Sequence, residues 1–132
     1  MSGSSFFNKP TESELAILQV LWAHGPSTVR FINDTLNEAS DDEREIGYTT
    51  TLKLMQLMLD KGLLERDTSS RTHVYRPLIN ERETRQHLLD KFVDTTFRGS
   101  AMDLVMQALG NHSVSQDELA AIKDLIKKIE EE

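Results

Sequence analysis

The stretch that decides the fold is residues 49–77, TTTLKLMQLMLDKGLLERDTSSRTHVYRP. Its first half predicts a helix from Thr49 to Lys61. Gly62 is a natural residue to end this helix, because glycine readily adopts the left-handed conformation that follows many helices. The periodicity then changes: Leu63–Thr68 and Thr72–Pro77 are short runs suited to β-strands, with a polar Ser-Ser-Arg turn between them. The stretch therefore predicts a helix followed by a β-hairpin.

Two further helices are predicted before this stretch. Thr11 and Glu14 have the spacing of a capping box, which marks the start of the first helix, and Gly25-Pro26 ends it. Ser27 is the predicted N-cap of the second helix, and the acidic residues 40–45 are interpreted as a solvated loop. Three helices and then a hairpin is the order of a winged helix-turn-helix.

The residues after Pro77 predict a helical tail. One helix runs from Asn80 or Glu81 to about Phe97, and a short one covers Ala101–Leu109. Ser115 caps a last helix, and Glu118 three residues later completes a second capping box. Three short helices cannot bury the apolar side chains of this tail by themselves, so the tail is predicted to be a homodimer interface. The predicted interface residues are Leu88, Leu89, Phe92, Val93, Phe97, Leu104, Val105, Leu109, Leu119, Ile122, Ile126 and Ile129.

The fold class expected from these patterns is mostly α with a small β wing. Residues 1–9 are expected to form a flexible N-terminal arm. Residues 10–79 are expected to form a winged-helix DNA-binding domain, followed by a helical dimerisation region over residues 80–132.

The composition excludes several classes of function. Without cysteine, the chain cannot form disulfides, thiolate zinc sites or a thiol nucleophile. The four histidines lack metal-ligand spacing, the acidic clusters lie in a loop and at the terminus, and no glycine-rich phosphate loop is present. We therefore expect no catalytic residue, no cofactor and no metal. No apolar run has the length of a membrane span, so a cytoplasmic protein without direct membrane association is expected.

The charge of the whole chain does not indicate nucleic-acid binding, but the charge of one segment does. The formal net charge is −7, with 15 Lys and Arg against 22 Asp and Glu. Between Gly47 and Ile79, however, five basic residues face three acidic ones, a local net charge of +2. Attraction to phosphate requires this kind of local excess. Because the excess is small, useful affinity for DNA is expected to need two copies of the chain.

The third helix has a face suited to reading bases. Thr49, Lys53, Gln56 and Asp60 are spaced by four, three and four residues and therefore share one face. Glutamine can pair with adenine, and lysine can pair with guanine or phosphate. A threonine hydroxyl can bond to a base edge or to phosphate. Together with neighbouring donors in the second helix and the wing, the predicted DNA-binding residues are Ser27, Thr28, Arg30, Tyr48, Thr49, Thr50, Lys53, Gln56, Arg71 and His73.

The same elements resemble the penicillinase-repressor family of transcription regulators. The resemblance runs from about Pro10 to Ile129. It is carried by Glu14-Leu15-x-Ile17-Leu18-x-x-Leu21-Trp22, Tyr48-Thr49-Thr50, Lys61-Gly62-Leu63-Leu64, Arg71-x-x-x-Tyr75-x-Pro77 and Phe97-x-Gly99-Ser100. It implies a bacterial homodimeric repressor whose N-terminal winged helix binds a palindromic double-stranded DNA operator and whose C-terminal helices dimerise.

The resemblance also implies an inducer, and here the chain departs from the family. Penicillinase repressors are inactivated by cleavage at an Asn-Phe bond in the tail, whereas this chain has Gln107-Ala108 at the corresponding position. The inducing partner is therefore expected to be a membrane sensor protease of different specificity or another kind of inducer. Two alternative functions stay open: a winged-helix protein–protein interaction module, and a regulator gated by a small molecule.

Overall fold

The computed structural model describes residues 9–41 and 43–132. In chain order, the described elements are helices α1 (Glu12–His24), α2 (Val29–Ala39) and α3 (Tyr48–Asp60), strands β1 (Leu64–Asp67) and β2 (Val74–Pro77), and helices α4 (Glu81–Thr96), α5 (Ala101–Asn111) and α6 (Gln116–Glu130). The two strands pair antiparallel, with Leu64 opposite Pro77. The predicted fold class, mostly α with a small β wing on a helix-turn-helix, is confirmed. Residues 1–8 of the predicted N-terminal arm lie outside the described residues.

The start of α1 is the capping box that the sequence predicts. The hydroxyl oxygen of Thr11 accepts from the backbone N–H of Glu14 at 3.2 Å, and Glu14 Oε1 accepts from the N–H of Thr11 at 2.9 Å. These bonds satisfy two donors that a helix start would otherwise leave without partners. Gly25, at φ 85°, ends the helix.

The predicted role of Ser27 as the N-cap of α2 is wrong. Thr28 is the N-cap, and its hydroxyl oxygen accepts from the N–H of Phe31 at 3.1 Å. Ser27 is buried and exchanges two backbone hydrogen bonds with Tyr75 of β2, at 2.9 and 2.8 Å. Its hydroxyl donates to the carbonyl of Gly25 at 2.8 Å. Strand β2 offers unpaired backbone groups at its edge, and this tertiary pairing overrides the local capping preference of serine.

The end of α3 fixes the direction in which the chain enters the wing. Gly62 has a φ of 79°, and its N–H donates to the carbonyl of Leu59 at 3.1 Å. The N–H of Leu63 reaches back to the carbonyl of Met58 at 2.9 Å. These two bonds form a Schellman motif, in which a residue without Cβ takes the left-handed position at no steric cost. The predicted helix end at Gly62 is confirmed, although α3 begins at Tyr48 rather than Thr49.

The core of the winged helix is contributed by all three helices and both strands. Trp22 packs at its edge and donates its indole N–H to the carbonyl of Ile79 at 3.1 Å. Burying such side chains is the main favourable term in folding. The buried apolar residues are Ile17, Leu18, Val20, Leu21, Val29, Ile32, Met55, Met58, Leu63, Leu64 and Tyr75.

One charged side chain belongs to this packing. Glu14 is only 2% exposed, and its Oε2 lies 2.7 Å from Nζ of Lys61, so the start of α1 is tied to the end of α3. Burial acts to raise the pKa of Glu14. The hydrogen bonds from Lys61 and Thr11 outweigh burial and hold that pKa below its ordinary value of 4.5.

The packing divides the chain into two compact units, one ending at Leu88 and the other spanning Leu89–Glu132. The second unit contains the end of α4, with α5 and α6. Ser115 caps α6 in the predicted capping box with Glu118. No side chain in Leu89–Glu132 is buried. The predicted division of the chain by function, at residue 80, stays a prediction.

Candidate nucleic-acid interface

Helix α3 presents the predicted polar face to solvent. Thr49, Lys53 and Gln56 are exposed, while Met55 and Met58 are fully buried on the opposite side. Leu52 and Leu59 are half-buried beside the core, and Thr51 is buried. The outer face therefore carries hydroxyl, ammonium and carboxamide groups that no other part of the fold uses for packing.

Five of the ten predicted DNA-binding residues surround one cleft. Thr28 and Arg30 come from the start of α2, Tyr48 from the start of α3, and Arg71 and His73 from the wing. The cleft has a volume of about 260 Å³. It brings together a hydroxyl, two guanidinium groups, a phenol and an imidazole, all of which can donate hydrogen bonds to phosphate oxygens.

Arg30 and Tyr48 are coupled across this cleft. The guanidinium carbon of Arg30 lies 4.6 Å from the centroid of the Tyr48 ring, the geometry of a cation–π contact. Sequence reasoning placed both residues in the site but missed their contact, because they are 18 positions apart and no local pattern links them.

The ion pairs change the charge assignment made from the sequence. Lys61 pairs with Glu14, and Nε of Arg76 lies 2.7 Å from Glu65 Oε2. Two of the five basic residues counted between Gly47 and Ile79 are thus neutralised locally. Within residues 9–41 and 43–132, no ion pair involves the other three, Lys53, Arg66 and Arg71. The same holds for Arg30 at the cleft.

Two asparagines hold the segment that leads into α3. Nδ2 of Asn33, a buried residue, donates to the carbonyl of Ile46 and to Oγ1 of Thr51, both at 2.9 Å. Asn37 forms two bonds with Ile46: its Nδ2 donates to the carbonyl at 3.0 Å, and its Oδ1 accepts from the N–H at 2.7 Å. The acidic loop before Ile46 is exposed where described, as predicted. Its end is nevertheless anchored to α2, which the sequence did not indicate.

The wing turn is held by its own side chains. Asp67 Oδ1 accepts from the N–H of Ser69 at 2.9 Å, and the Ser70 hydroxyl donates to the carbonyl of Thr72 at 2.9 Å. The hydrogen bond from the Ser69 N–H lowers the pKa of Asp67. Arg71 is exposed on this turn, where the sequence placed it.

Ser27 is the predicted contact that the fold uses differently. It is 8% exposed, and its hydroxyl already donates to Gly25. Thr28 replaces it as the hydroxyl at the start of α2, and Thr50 is exposed as predicted.

None of the predicted dimer residues is buried within the described chain. Phe92 and Phe97 contact each other edge-on, with ring centroids 5.6 Å apart. Exposed members of the predicted set are Leu89, Phe92, Val105, Leu109, Leu119, Ile126 and Ile129. Leu88, Val93, Phe97, Leu104 and Ile122 are half-buried.

A metal centre and a membrane span are two other features to consider in the described part of the chain. No group of three or more His, Cys, Asp or Glu residues there is arranged to hold a metal ion. None of the described helices is both long and apolar enough to span a bilayer.

Three helices, a hairpin after the third and an exposed polar face on that third helix define a winged helix-turn-helix protein of the DNA-binding class. A sequence model described as penicillinase repressor matches residues 10–128. The chain therefore belongs to the penicillinase repressor family and is a DNA-binding transcriptional repressor by class.

Two curated relatives agree with this assignment. The penicillinase repressor of Bacillus licheniformis is 25% identical over 118 residues, covering 89% of each chain. The methicillin resistance regulatory protein MecI of Mammaliicoccus sciuri is 18% identical over 118 residues, covering 89% of this chain and 93% of its own. Both are named as regulators rather than enzymes, in line with the predicted non-enzymatic role.

A solved structure is also similar at low identity. The PcaV transcriptional regulator from Streptomyces coelicolor, in complex with its natural ligand, matches with a TM-score of 0.44 and 20% identity. The match covers 94% of this chain and 77% of that one. Because this TM-score is low, the fold assignment rests on the family and on the described elements.

Proposed function

We propose that this protein represses transcription as a homodimer that binds a palindromic operator, with α3 of each protomer in one major groove. The observation that carries the proposal is the continuity of two surfaces. The exposed polar face of α3 adjoins the cleft formed by the start of α2 and the wing. A winged helix that reads DNA needs such a base-reading helix flanked by groups that bind phosphate.

In this proposal, the polar face of α3 contacts bases and the cleft contacts phosphates. Lys53 and Gln56 are suited to bidentate or single contacts with base edges, and Thr49 can donate or accept beside them. Thr28, Arg71 and their neighbours in the cleft are suited to phosphate, which positions the protein without reading sequence. Ser27, which is buried, is left out of this proposed interface.

The second unit supplies the reason for a dimer. Its helices leave a row of apolar side chains exposed, and a second copy of the same surface is the partner that the family resemblance implies. A twofold dimer presents two recognition helices, which matches the symmetry of an inverted repeat. The two weakly basic DNA-binding surfaces of the dimer then add their contributions to binding.

Induction is proposed to differ from that of penicillinase repressors. Gln107 and Ala108 are exposed within α5. Alanine offers a protease pocket much less apolar surface than the phenylalanine of the family's bond, and such a loss slows cleavage by roughly a hundredfold. We expect a penicillinase-type sensor protease to leave this bond intact. A cell-wall antibiotic applied to cells that hold the native genomic neighbourhood, followed by mass spectrometry of the repressor, tests this; a fragment ending at Gln107 contradicts it.

The DNA-binding proposal is tested by selection from a pool of random duplexes followed by titration at several salt concentrations. The two basic residues per protomer that are assigned to phosphate, Arg30 and Arg71, give a dimer a slope of log K against log salt of about −4. Lys53→Ala and Gln56→Ala are expected to lose about 1–3 kcal/mol of discrimination for the selected duplex. Gln19→Ala, an exposed glutamine on α1, is the matched control. If the wild type selects no duplex, the protein-interaction alternative takes the place of this proposal.

A further inference from the structure

Leu57 is an apolar side chain in an unusual place. It lies on α3 and is 55% exposed, directly after Gln56 and four residues after Lys53. The other aliphatic and methionine side chains of α3 lie in the core or pack against it. A half-exposed leucine contributes little to folding, because most of its surface stays in contact with water.

Leu57 continues the row of predicted contacts. Residues seven apart on a helix lie almost above one another, so Thr50, Lys53 and Leu57 form one stripe along α3. At 1.5 Å per residue, Leu57 lies about 6 Å from Lys53 along the helix axis. A helix in the major groove is inclined to the DNA axis, so this distance spans at most about two base-pair steps of the duplex.

In a major groove, each base pair exposes hydrogen-bonding groups, and thymine adds the only apolar group, its C5 methyl. A branched aliphatic side chain has no hydrogen-bonding group and matches only that methyl. The exposed polar groups of α3 cover the other readout chemistries, and Leu57 supplies the apolar one.

We propose that Leu57 is a specificity-determining residue that contacts the C5 methyl of a thymine in each half-site. The proposal rests on the proposed function, since it needs α3 in the major groove. The thymine lies within about two base-pair steps of the pair that responds to Lys53→Ala. Transfer of one methyl-sized group out of water corresponds to about a fourfold change in affinity.

The test uses the full chain and the duplex selected from a random pool. Each thymine is replaced in turn by deoxyuridine, which removes the methyl and keeps every hydrogen-bonding group. Wild-type protein is expected to lose about fourfold in affinity at one thymine per half-site. Leu57→Ala is expected to bind the thymine and deoxyuridine duplexes equally at that position. Leu57→Met, which keeps an apolar side chain, is expected to retain the difference.

The control is Leu78→Ala. Leu78 is also 55% exposed but follows β2, away from α3 in the chain, and its substitution is expected to leave the fourfold difference unchanged. Thermal unfolding of each variant verifies that the fold is kept. If wild type binds the duplex but no single deoxyuridine weakens it, or if Leu57→Ala keeps the difference, the assignment of Leu57 is overturned while DNA binding stands. If wild type binds no duplex, the proposed function itself fails.

Discussion

The two units of this chain differ in how far their apolar side chains are buried. In the first unit, the apolar stripes of three helices pack against one another and against the wing strands. Residues such as Ile17, Ile32 and Met58 are completely buried there. In the second unit, α5 and α6 have equally clear apolar stripes, yet Leu109 and Ile126 are about half exposed and no side chain is buried.

This difference teaches that an apolar stripe predicts a helix but not its partner. The first unit has a Schellman turn, a paired hairpin and the Glu14–Lys61 ion pair to bring its stripes together. The second unit has helix caps at Ser100 and Ser115, but its own helices leave their apolar stripes uncovered. The proposed dimer would cover this exposed apolar surface.

The largest expected effect comes from a charge placed in the tail. Phe92→Asp puts a carboxylate into the proposed dimer interface, where it has no partner, and is expected to weaken self-association by about a hundredfold or more. Sedimentation velocity over a range of protein concentrations measures this change. Thr95→Asp introduces the same charge at an exposed polar position of α4 and is the matched control. An unchanged dimer with Phe92→Asp would remove α4 from the interface.

One isoleucine variant in each unit tests whether apolar side chains stabilise the two units differently. Ile17→Ala empties a position in the closed core and is expected to cost about 2–5 kcal/mol of unfolding free energy. Ile126→Ala, at a side chain 51% exposed, is expected to leave the winged helix unchanged and to loosen self-association instead. Chemical unfolding at two protein concentrations separates the two effects. Equal losses of folding free energy from both variants would contradict the proposed contrast between the units.

The Glu14–Lys61 pair predicts a pH dependence confined to the first unit. Because the pKa of folded Glu14 lies below its ordinary value of 4.5, its contribution is fully present above about pH 4.5 and is lost as pH falls through the folded pKa. Glu14→Gln is expected to cost about 1–3 kcal/mol near neutral pH, with the difference from wild type shrinking in acid. Glu12→Gln, exposed on the same helix, is the control. A difference that is constant with pH would show that the charge of Glu14 does not matter.

The smallest effect is expected at the anchor of α3. Asn37→Ala removes the side chain that holds Ile46 and is expected to cost about 0.5–1.5 kcal/mol of stability. Because the anchor sets the position of α3, affinity for the selected duplex is expected to fall more than affinity for random DNA. Glu38→Ala, exposed on the same helix, is the control. Equal losses on both DNAs would make Asn37 a purely structural residue.

The sequence predicted the features whose signals are local. The capping boxes at Thr11 and Ser115, the end of α3 at Gly62 and the two strands of the wing each depend on residues within a few positions of one another. The exposed face of α3 was also predicted, because helical periodicity alone determines which residues share a face.

The features that the sequence missed depend on residues brought together by the fold. Ser27 has the chemistry of an N-cap, but backbone pairing with Tyr75 placed it inside the wing. The bonds from Asn33 and Asn37 to Ile46 cross a loop that no periodic pattern describes. Glu14 was predicted as a capping residue, and its pairing with Lys61, 47 positions later, required the packed structure.

The most direct test of the whole account is the number of chains that bind one operator. Sedimentation equilibrium of the protein with a labelled duplex, selected from the random pool, measures the mass added to the DNA. We expect an increment of twice the chain mass of 15.0 kDa, because one winged helix reads each half-site and the tails pair. An increment of one chain mass at saturation would contradict it.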